Sequence, residues 1–194
     1  MIDFILQLDV KIFLFINTYI NNKLFDYIFI FFHDCHKNIW FILLLLFLWF
    51  CFIFKHKKNR LSLIILIPLS IIITDQIGSY IKDLEIRQRP YMIIDSEEMN
   101  LLVHAPKYND GHYKNTKSSK KSFPSNHAAN IWALTSILSY LYSNQKKYFL
   151  ILAILISISR VYVGVHYPID IIIGSLIGLT VGYVLKKVYR KLIR

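Results

Sequence analysis

Five apolar blocks, each close to the length that crosses a bilayer, constrain this chain more than any other feature. Phe41 to Phe54 is wholly apolar, and Leu61 to Thr74, Tyr148 to Ile158 and Ile171 to Val184 are nearly so. A fifth block, Ala128 to Tyr142, is weaker because Asn130, Thr135 and Ser136 interrupt it. With flanking residues each approaches the roughly 20 positions that span the hydrocarbon core of a membrane. In water such helices need a surrounding protein shell, and a chain of 194 residues has no material for one. The expected fold class is therefore all-α and integral to the membrane. It is a bundle of five transmembrane helices at about 38–54, 61–81, 126–142, 148–163 and 168–188, or six if the amino-terminal region also crosses.

Residues 1–36 mix apolar and polar positions at near-helical spacing. Phe4, Ile5, Leu8, Ile12, Phe13, Phe15 and Ile16 are broken by Asp9, Lys11 and Asn17. That pattern reads as an N-terminal amphipathic helix lying in the membrane interface, and Phe25 to Phe32, too short to span alone, reads as its continuation. Met1 to Tyr19 lacks a basic start and carries Asp3, Asp9 and Lys11, so it does not read as a cleavable signal. No internal repeat or boundary divides the chain, and residues 1–194 read as a single membrane domain.

The net charge of +11 is informative through its placement. The tracts 55–60, 144–147 and 186–194 carry eleven of the 23 basic residues and no acid, while the other twelve are balanced by the twelve acids. Short basic loops mark the cytoplasmic side. With five spans the three tracts fall together on that side of the plasma (inner) membrane, leaving the opposite, periplasmic side for the polar connection at 83–123. Because each tract abuts a spanning block, membrane orientation explains it better than nucleic-acid binding, and no nucleic-acid partner is expected. Cys35 and Cys51 form no metal-ligand spacing or disulfide framework, so neither metal nor cofactor is expected. The sequence sets no oligomeric state.

Three motifs lie at the edges of the apolar blocks, where charge is expensive and usually functional. In Lys82-Asp83-Leu84-Glu85-Ile86-Arg87-Gln88-Arg89-Pro90, the cations Lys82 and Arg89 are seven residues apart. If the second helix continues, they share one face, and Pro90 ends it. Pro124-Ser125-Asn126-His127 opens the third span, where backbone amides and the Ser125 hydroxyl make an anion seat, although Ser125 also suits a helix cap. Ser159-Arg160 closes the fourth span, and His166 and Asp170 flank Pro168, which opens the fifth. Tyr167 precedes a proline and is pushed from helical geometry, so His166 and Asp170 are expected to be close without forming a regular i,i+4 pair. A carboxylate accepting from one ring nitrogen leaves the other free to attack. Asp75, inside the second span, either pairs with a polar group of another helix or lies near this site. The 83–123 connection reads as a surface loop, either a substrate collar or a solvated linker.

In order, spacing and placement on helix ends, the pattern Lys-x6-Arg-Pro, Pro-Ser-x-His and Ser-Arg-x5-His-x3-Asp resembles the type 2 phosphatidic acid phosphatase superfamily over roughly residues 60–190. Asn126 stands where that family usually has glycine. The resemblance implies that His166 forms a phosphohistidine, Asp170 orients it, and His127 protonates the leaving oxygen and later activates water. Lys82, Arg89, Arg160, Ser125 and Asn126 would hold the phosphoryl group, fixed cations doing the charge neutralisation that phosphoryl transfer needs. The implied activity is metal-independent hydrolysis of a membrane lipid phosphate at the outer face. Polyprenyl (undecaprenyl) diphosphate is the favoured substrate, with the lipid A 1-phosphate and phosphatidylglycerophosphate as alternatives. A vanadium haloperoxidase shares this pocket but is soluble, and a non-catalytic protein binding anionic lipids would need the seat without turnover. For the topology, single cysteines introduced at 107–121 into protein lacking Cys35 and Cys51 should react with an impermeant reagent from outside, and one at Lys146 should not. The reverse pattern would move the site to the cytoplasm.

Overall fold

A computed structural model describes residues 2–95, 97–103, 108–109, 112–113 and 121–192. Its helices are α1 (Ile2–Leu14), α2 (Lys23–Asp34), α3 (Ile39–Lys55), α4 (Arg60–Lys82), α5 (Asn126–Leu141), α6 (Lys146–Tyr162) and α7 (Pro168–Leu192). Strands β1 (Tyr108–Asn109) and β2 (His112–Tyr113) pair antiparallel, with Tyr108 opposite Tyr113. Each expected span is helical, within two residues at every end except the last, where α7 runs on to Leu192. By length and hydropathy α4 and α7 each suffice to cross a membrane, as does the pair α2–α3, which is bent by 70°. Backbone polar groups in hydrocarbon must be satisfied within the segment. At the breaks, side chains take over: the Asn22 side chain accepts from Phe25 N, and that of Asn38 from Trp40 N and Phe41 N.

The most extensive packing joins α5 to α7, and small residues make it so. Gly174, Gly178 and Gly182 recur every fourth position along one stripe of α7. A Cβ on Gly174 would meet the carbonyl of Ser125, and one on Gly178 the carbonyl of Ala129. On Gly182 it would lie 2.6 Å from the Ser136 Cβ and 2.8 Å from the Ala133 oxygen. Ala128, Ala129 and Ala133 are buried on the facing side. Without a hydrophobic drive between helices in lipid, such small-residue seams let backbones approach and dispersion forces act. The seam fixes the register of two helix starts: the amide of Ser125 donates to the Asp170 carbonyl at 3.0 Å.

The amino-terminal region is two helices joined through a π-helical turn at Phe15–Tyr19, rather than one element and its continuation. Phe4, Ile5, Leu8 and Ile12 form an exposed apolar face, as an interface-lying helix requires, while Asp9, Phe13, Asn17, Phe29 and His33 are buried. Of the polar residues that interrupt the apolar run, Asp9 and Asn17 point inward while Lys11 stays exposed. Asn17 Nδ2 donates to the carbonyls of Asn100 and Tyr162, each at 2.7 Å, and its Oδ1 accepts from Asn100 N at 2.7 Å. Buried polar groups persist where they find such partners.

The 83–123 connection also departs from expectation. Helix α4 does not continue to Arg89: it closes at Lys82, and Glu85 adopts φ 48° in the turn that follows. The shared helical face expected for Lys82 and Arg89 is therefore absent. The Asp83 amide makes the last α-helical bond, to Ser79, and the Leu84 and Glu85 amides then turn back only three residues, to the carbonyls of Ile81 and Lys82, so the helix ends. Parts of the connection are interior, with Tyr91, Met99 and Ser122 buried. The residues around Asp110 and Gly111 and most of the Lys114–Lys121 run lie outside the described residues.

The seam has a direct test. Gly178→Ala should lower the melting temperature in detergent by several degrees, since overpacking typically costs about 1–3 kcal/mol, and should reduce activity with it. Leu176→Ala, on the exposed face of the same helix (54% accessible), should leave both near wild type. Equal melting of the two variants would refute the close-contact account.

Candidate active site

The start of α7 organises the site. Pro168, with no amide to satisfy, opens the helix. Asp170, in the first turn and fully buried, turns its carboxylate back toward the preceding residues. Its Oδ2 accepts from the Tyr167 amide at 3.0 Å and the Ser122 hydroxyl at 2.6 Å, and faces His166 Nδ1 at 3.4 Å. The first bond is one half of a capping box. The third makes His166 and Asp170 the close pair expected from sequence. His166 is 4% exposed. Burial above all, together with the positive charge of Arg89 and Lys82, pushes its pKa down to about 3, against the opposing pull of Asp170. It is therefore a neutral imidazole, with Nδ1 turned to the carboxylate and Nε2 on the far side of the ring.

His166 is held from the other end by the turn that closes α6. The amides of Val165 and His166 both donate to the Arg160 carbonyl at 3.2 Å. Gly164 has φ +88°, and a Cβ there would lie 2.8 Å from the Asn100 carbonyl. Glycine is the residue that takes this left-handed angle without strain.

The three expected cations converge by three routes. Lys82 Nζ, at the end of α4, donates to the carbonyls of Lys121, Ser122 and Pro124 at 3.1, 3.3 and 2.5 Å. Arg89 Nη1 donates to the Val165 carbonyl at 3.4 Å, and burial lowers its pKa from the free-arginine value. Arg160 is 3% exposed and its Nη1 donates to His33 Nδ1 at 2.7 Å. Among the described residues nothing hydrogen-bonds its buried Nε. Such an orphan donor in a site is a place for a ligand acceptor.

Ser125 is the N-cap of α5, its side chain accepting from Ala128 N at 3.4 Å, and its own amide is taken by Asp170. The capping role expected as an alternative is thus realised. His127, half-buried, lies in that same first turn beside the start of α7. Asn126 is committed elsewhere. Its Nδ2 donates to Asp75 Oδ1 at 3.3 Å, next to Asn130 Nδ2 at 3.1 Å, and its Oδ1 lies against Gly78 of α4. Asp75 therefore pairs between helices, and the Asn126 side chain is turned to α4, which leaves its backbone amide in the first turn of α5.

Four residues of the site were not singled out from sequence. Ser122 sits two positions before the Pro-Ser-x-His motif. Arg87 lies within the first motif, where Arg89 drew attention instead. Arg87 Nη1 bridges Asp9 Oδ2 at 2.6 Å and Asp170 Oδ1 at 3.4 Å, with its guanidinium 3.5 Å over the Tyr167 ring. Asp9 and His33 come from the amino-terminal helices, Asp9 reaching Ile169 across 160 residues and His33 reaching Arg160 across 127. Only the oddity of an acid inside an apolar run signalled Asp9.

Comparison with known proteins places this geometry. Residues 63–194 match the PAP2 superfamily. The lipid A 4′-phosphatase of Porphyromonas gingivalis is 31% identical over 194 residues, covering 96% of this chain and 75% of that protein. The undecaprenyl-diphosphatase of Sulfolobus acidocaldarius is 39% identical over 70 residues, 34% of this chain and 33% of that one. The crystal structure of Aquifex aeolicus LpxE superposes with a TM-score of 0.65 at 26% identity, covering 93% of this chain and 95% of that one.

The buried, neutral His166 has a consequence for pH. Its pKa lies near 3 in the fold and 6.5 when exposed, so between these values the unfolded chain binds a proton that the folded chain refuses. Stability should therefore fall as pH drops from about 6.5 toward 3, and this histidine should contribute no slope above 6.5. Melting curves of wild type and His166→Gln from pH 4 to 8 check it: the variant should show a shallower loss, and parallel curves would contradict the assignment.

Proposed function

The chain belongs to the PAP2 superfamily and is a membrane lipid phosphatase, a hydrolase of phosphoester bonds, and from that premise we propose a phosphohistidine mechanism on a lipid phosphate monoester. The observation that carries this reading is a buried neutral imidazole, tied through Nδ1 to a carboxylate, with the charges of Arg89 and Lys82 acting on it. His166 Nε2 attacks phosphorus, the bond from phosphorus to the lipid oxygen breaks, and His127 gives a proton to the leaving oxygen. Asp170 stabilises the positive charge that the attack places on the ring. Water, losing a proton to His127, then attacks the phosphohistidine, and inorganic phosphate leaves. Lys82, Arg89 and Arg160 neutralise the equatorial oxygens, the orphan Nε of Arg160 gaining an acceptor. Ser125 and the first-turn amides of α5 complete the seat.

For the substrate, the relative whose likeness runs the length of the chain is named for the 4′-phosphate of lipid A. This supports a phosphorylated, acylated sugar lipid as the leading candidate. Undecaprenyl diphosphate, favoured on sequence alone, is the second reading, supported by a closer but much shorter likeness. We place the enzyme in the plasma membrane with its site on the extracytoplasmic side. Helix α7 spans 25 residues, about 37 Å at roughly 1.5 Å each, and separates the Asp170 end from the basic Lys186–Lys191 end. The five-span count and a single domain over 1–194 belong to the same proposal.

The test is phosphate release in detergent from a panel of lipid A phosphorylated at the 1 or 4′ position, undecaprenyl diphosphate and phosphatidylglycerophosphate. Expected are highest kcat/KM on the 4′-phosphate, inhibition by vanadate, and no effect of chelator. His166→Ala should abolish turnover, and His127→Ala should lower it by about 10²–10⁴-fold, the usual worth of a general acid–base. An acid-labile phosphoenzyme should be trapped in wild type and be missing in His166→Ala. Undiminished turnover in His166→Ala would overturn the mechanism, and preference for the diphosphate would exchange the two substrate readings.

A further inference from the structure

The family match begins at residue 63, yet a side chain from α1 reaches the heart of the site. Asp9 is 2% exposed, in a helix whose outward face is apolar. Its Oδ1 accepts from the Ile169 amide of α7 at 2.9 Å, and its Oδ2 pairs with Arg87 at 2.6 Å. Arg87 in turn touches Asp170 Oδ1 at 3.4 Å and stacks on Tyr167, the residue directly after His166. One acid of the amino-terminal helix thus closes the first turn of α7 and holds the arginine that lies against the carboxylate partner of His166.

We propose that Arg87 is a positioning residue for the Asp170–His166 pair and that Asp9 sets its charge, making α1 a working part of the catalytic apparatus. The proposal rests on the reading of His166 as nucleophile. Oδ2 of Asp170 carries three contacts, while Oδ1 has Arg87. Those contacts fix the carboxylate plane, so Arg87 restrains the one rotation left to it. Arg87 also lies on the Nδ1 side of the imidazole, away from the Nε2 that meets phosphorus, which distinguishes it from the phosphate-holding cations. The charge count matters equally. An unbalanced arginine against Asp170 would cancel the negative charge that steadies the imidazole as it becomes cationic. With Asp9 paired more closely to Arg87 than Asp170 is, the three groups together keep one net negative charge beside His166. Removing Arg87 leaves two buried carboxylates with no cation between them, the situation that costs most in low dielectric, whereas removing Asp9 leaves Arg87 to Asp170 alone.

The charge count makes the proposal testable by rescue. Asp9→Asn leaves the group neutral, Arg87→Met leaves it doubly negative, and the Asp9→Asn/Arg87→Met double variant restores one negative charge. In the full-length protein in detergent, each single variant should lose about 10- to 100-fold in kcat, the range typical for outer-shell partners, with KM within about threefold. The double variant should exceed Arg87→Met in kcat per folded molecule, the folded fraction being measured by size exclusion and thermal melting. Arg87→Lys, which keeps the charge but not the fork or the stack, should fall between wild type and Arg87→Met. Unchanged kcat per folded molecule in both single variants would reduce the cluster to a structural brace and overturn the proposal, as would a rise in KM at constant kcat. Trapping of wild-type phosphoenzyme is read separately: its failure would sink the nucleophile reading, while the rescue pattern reports on Arg87 and Asp9.

Discussion

A single buried carboxylate, that of Asp170, holds this site together. It bonds the Tyr167 amide, the Ser122 hydroxyl, the His166 ring and Arg87, while its backbone carbonyl takes the Ser125 amide. Four separate stretches of chain therefore meet on one residue: the ends of the long connection, the start of α5, the α6–α7 turn and, through Arg87, helix α1. A buried carboxylate is tolerable only when its lone pairs are matched by donors, and here the donors include the residues to which the proposed mechanism gives fixed positions. On that reading, satisfying one charge and preorganising a phosphate site are one geometric problem.

The bilayer shapes how that problem is solved. Helix association in lipid cannot draw on the hydrophobic effect, so α5 and α7 approach through backbone contact along the glycine stripe. That contact leaves little freedom in relative height, and height decides whether the two helix starts meet. The polar groups gather at this end, while the opposite end of α7 carries Lys186, Lys187, Arg190 and Lys191. A lipid with its tail along the helices presents its phosphate at the depth where the cations already lie. Charge neutralisation by arginine and lysine, as proposed here, suits such a location, since those side chains reach the interface from helix ends.

Much of this was legible in sequence, for identifiable reasons. The helices could be placed because apolar blocks in a membrane protein map onto helices almost directly, with Asn38, Ser125 and Pro168 marking the starts. His166, Asp170 and the three cations stood out because charge at a membrane edge is costly enough to need a purpose, and the structure brings His166 and Asp170 into one pair; their roles in turnover belong to the proposal. The shared helical face of Lys82 and Arg89 was not realised, because a seven-residue spacing fits a helix only where the helix persists, and local turn bonds end α4 at Lys82. Asp9 and Asn17 read in sequence only as polar breaks in an interfacial helix, and His33 carried no signal at all. Nothing local distinguishes a polar residue facing headgroups from one whose partner lies more than 80 residues away. Arg87 was hidden by its neighbour: in Arg-Gln-Arg-Pro the second arginine fits the phosphatase pattern, and only the coordinates give the first a partner.

Asn126 shows how a departure from a family pattern can be absorbed without touching the chemistry. Where a glycine is expected, the asparagine side chain needs volume and hydrogen bonds. Both come from α4, where Gly78 leaves the space and Asp75 the acceptor. Adding a Cβ at Gly78 would drive it into the Asn126 amide, so the small residue has in effect moved from α5 to the facing helix. Asp75 then accepts from Asn126 and Asn130, while Thr74 donates to Asn130 at 2.5 Å. The altered hydrogen bonding expected from this asparagine is thereby directed into the α4–α5 interface and away from the phosphate. The proposed anion seat at the first turn of α5 then rests on backbone amides, while the asparagine side chain ties α4, carrying Lys82 at its end, to α5.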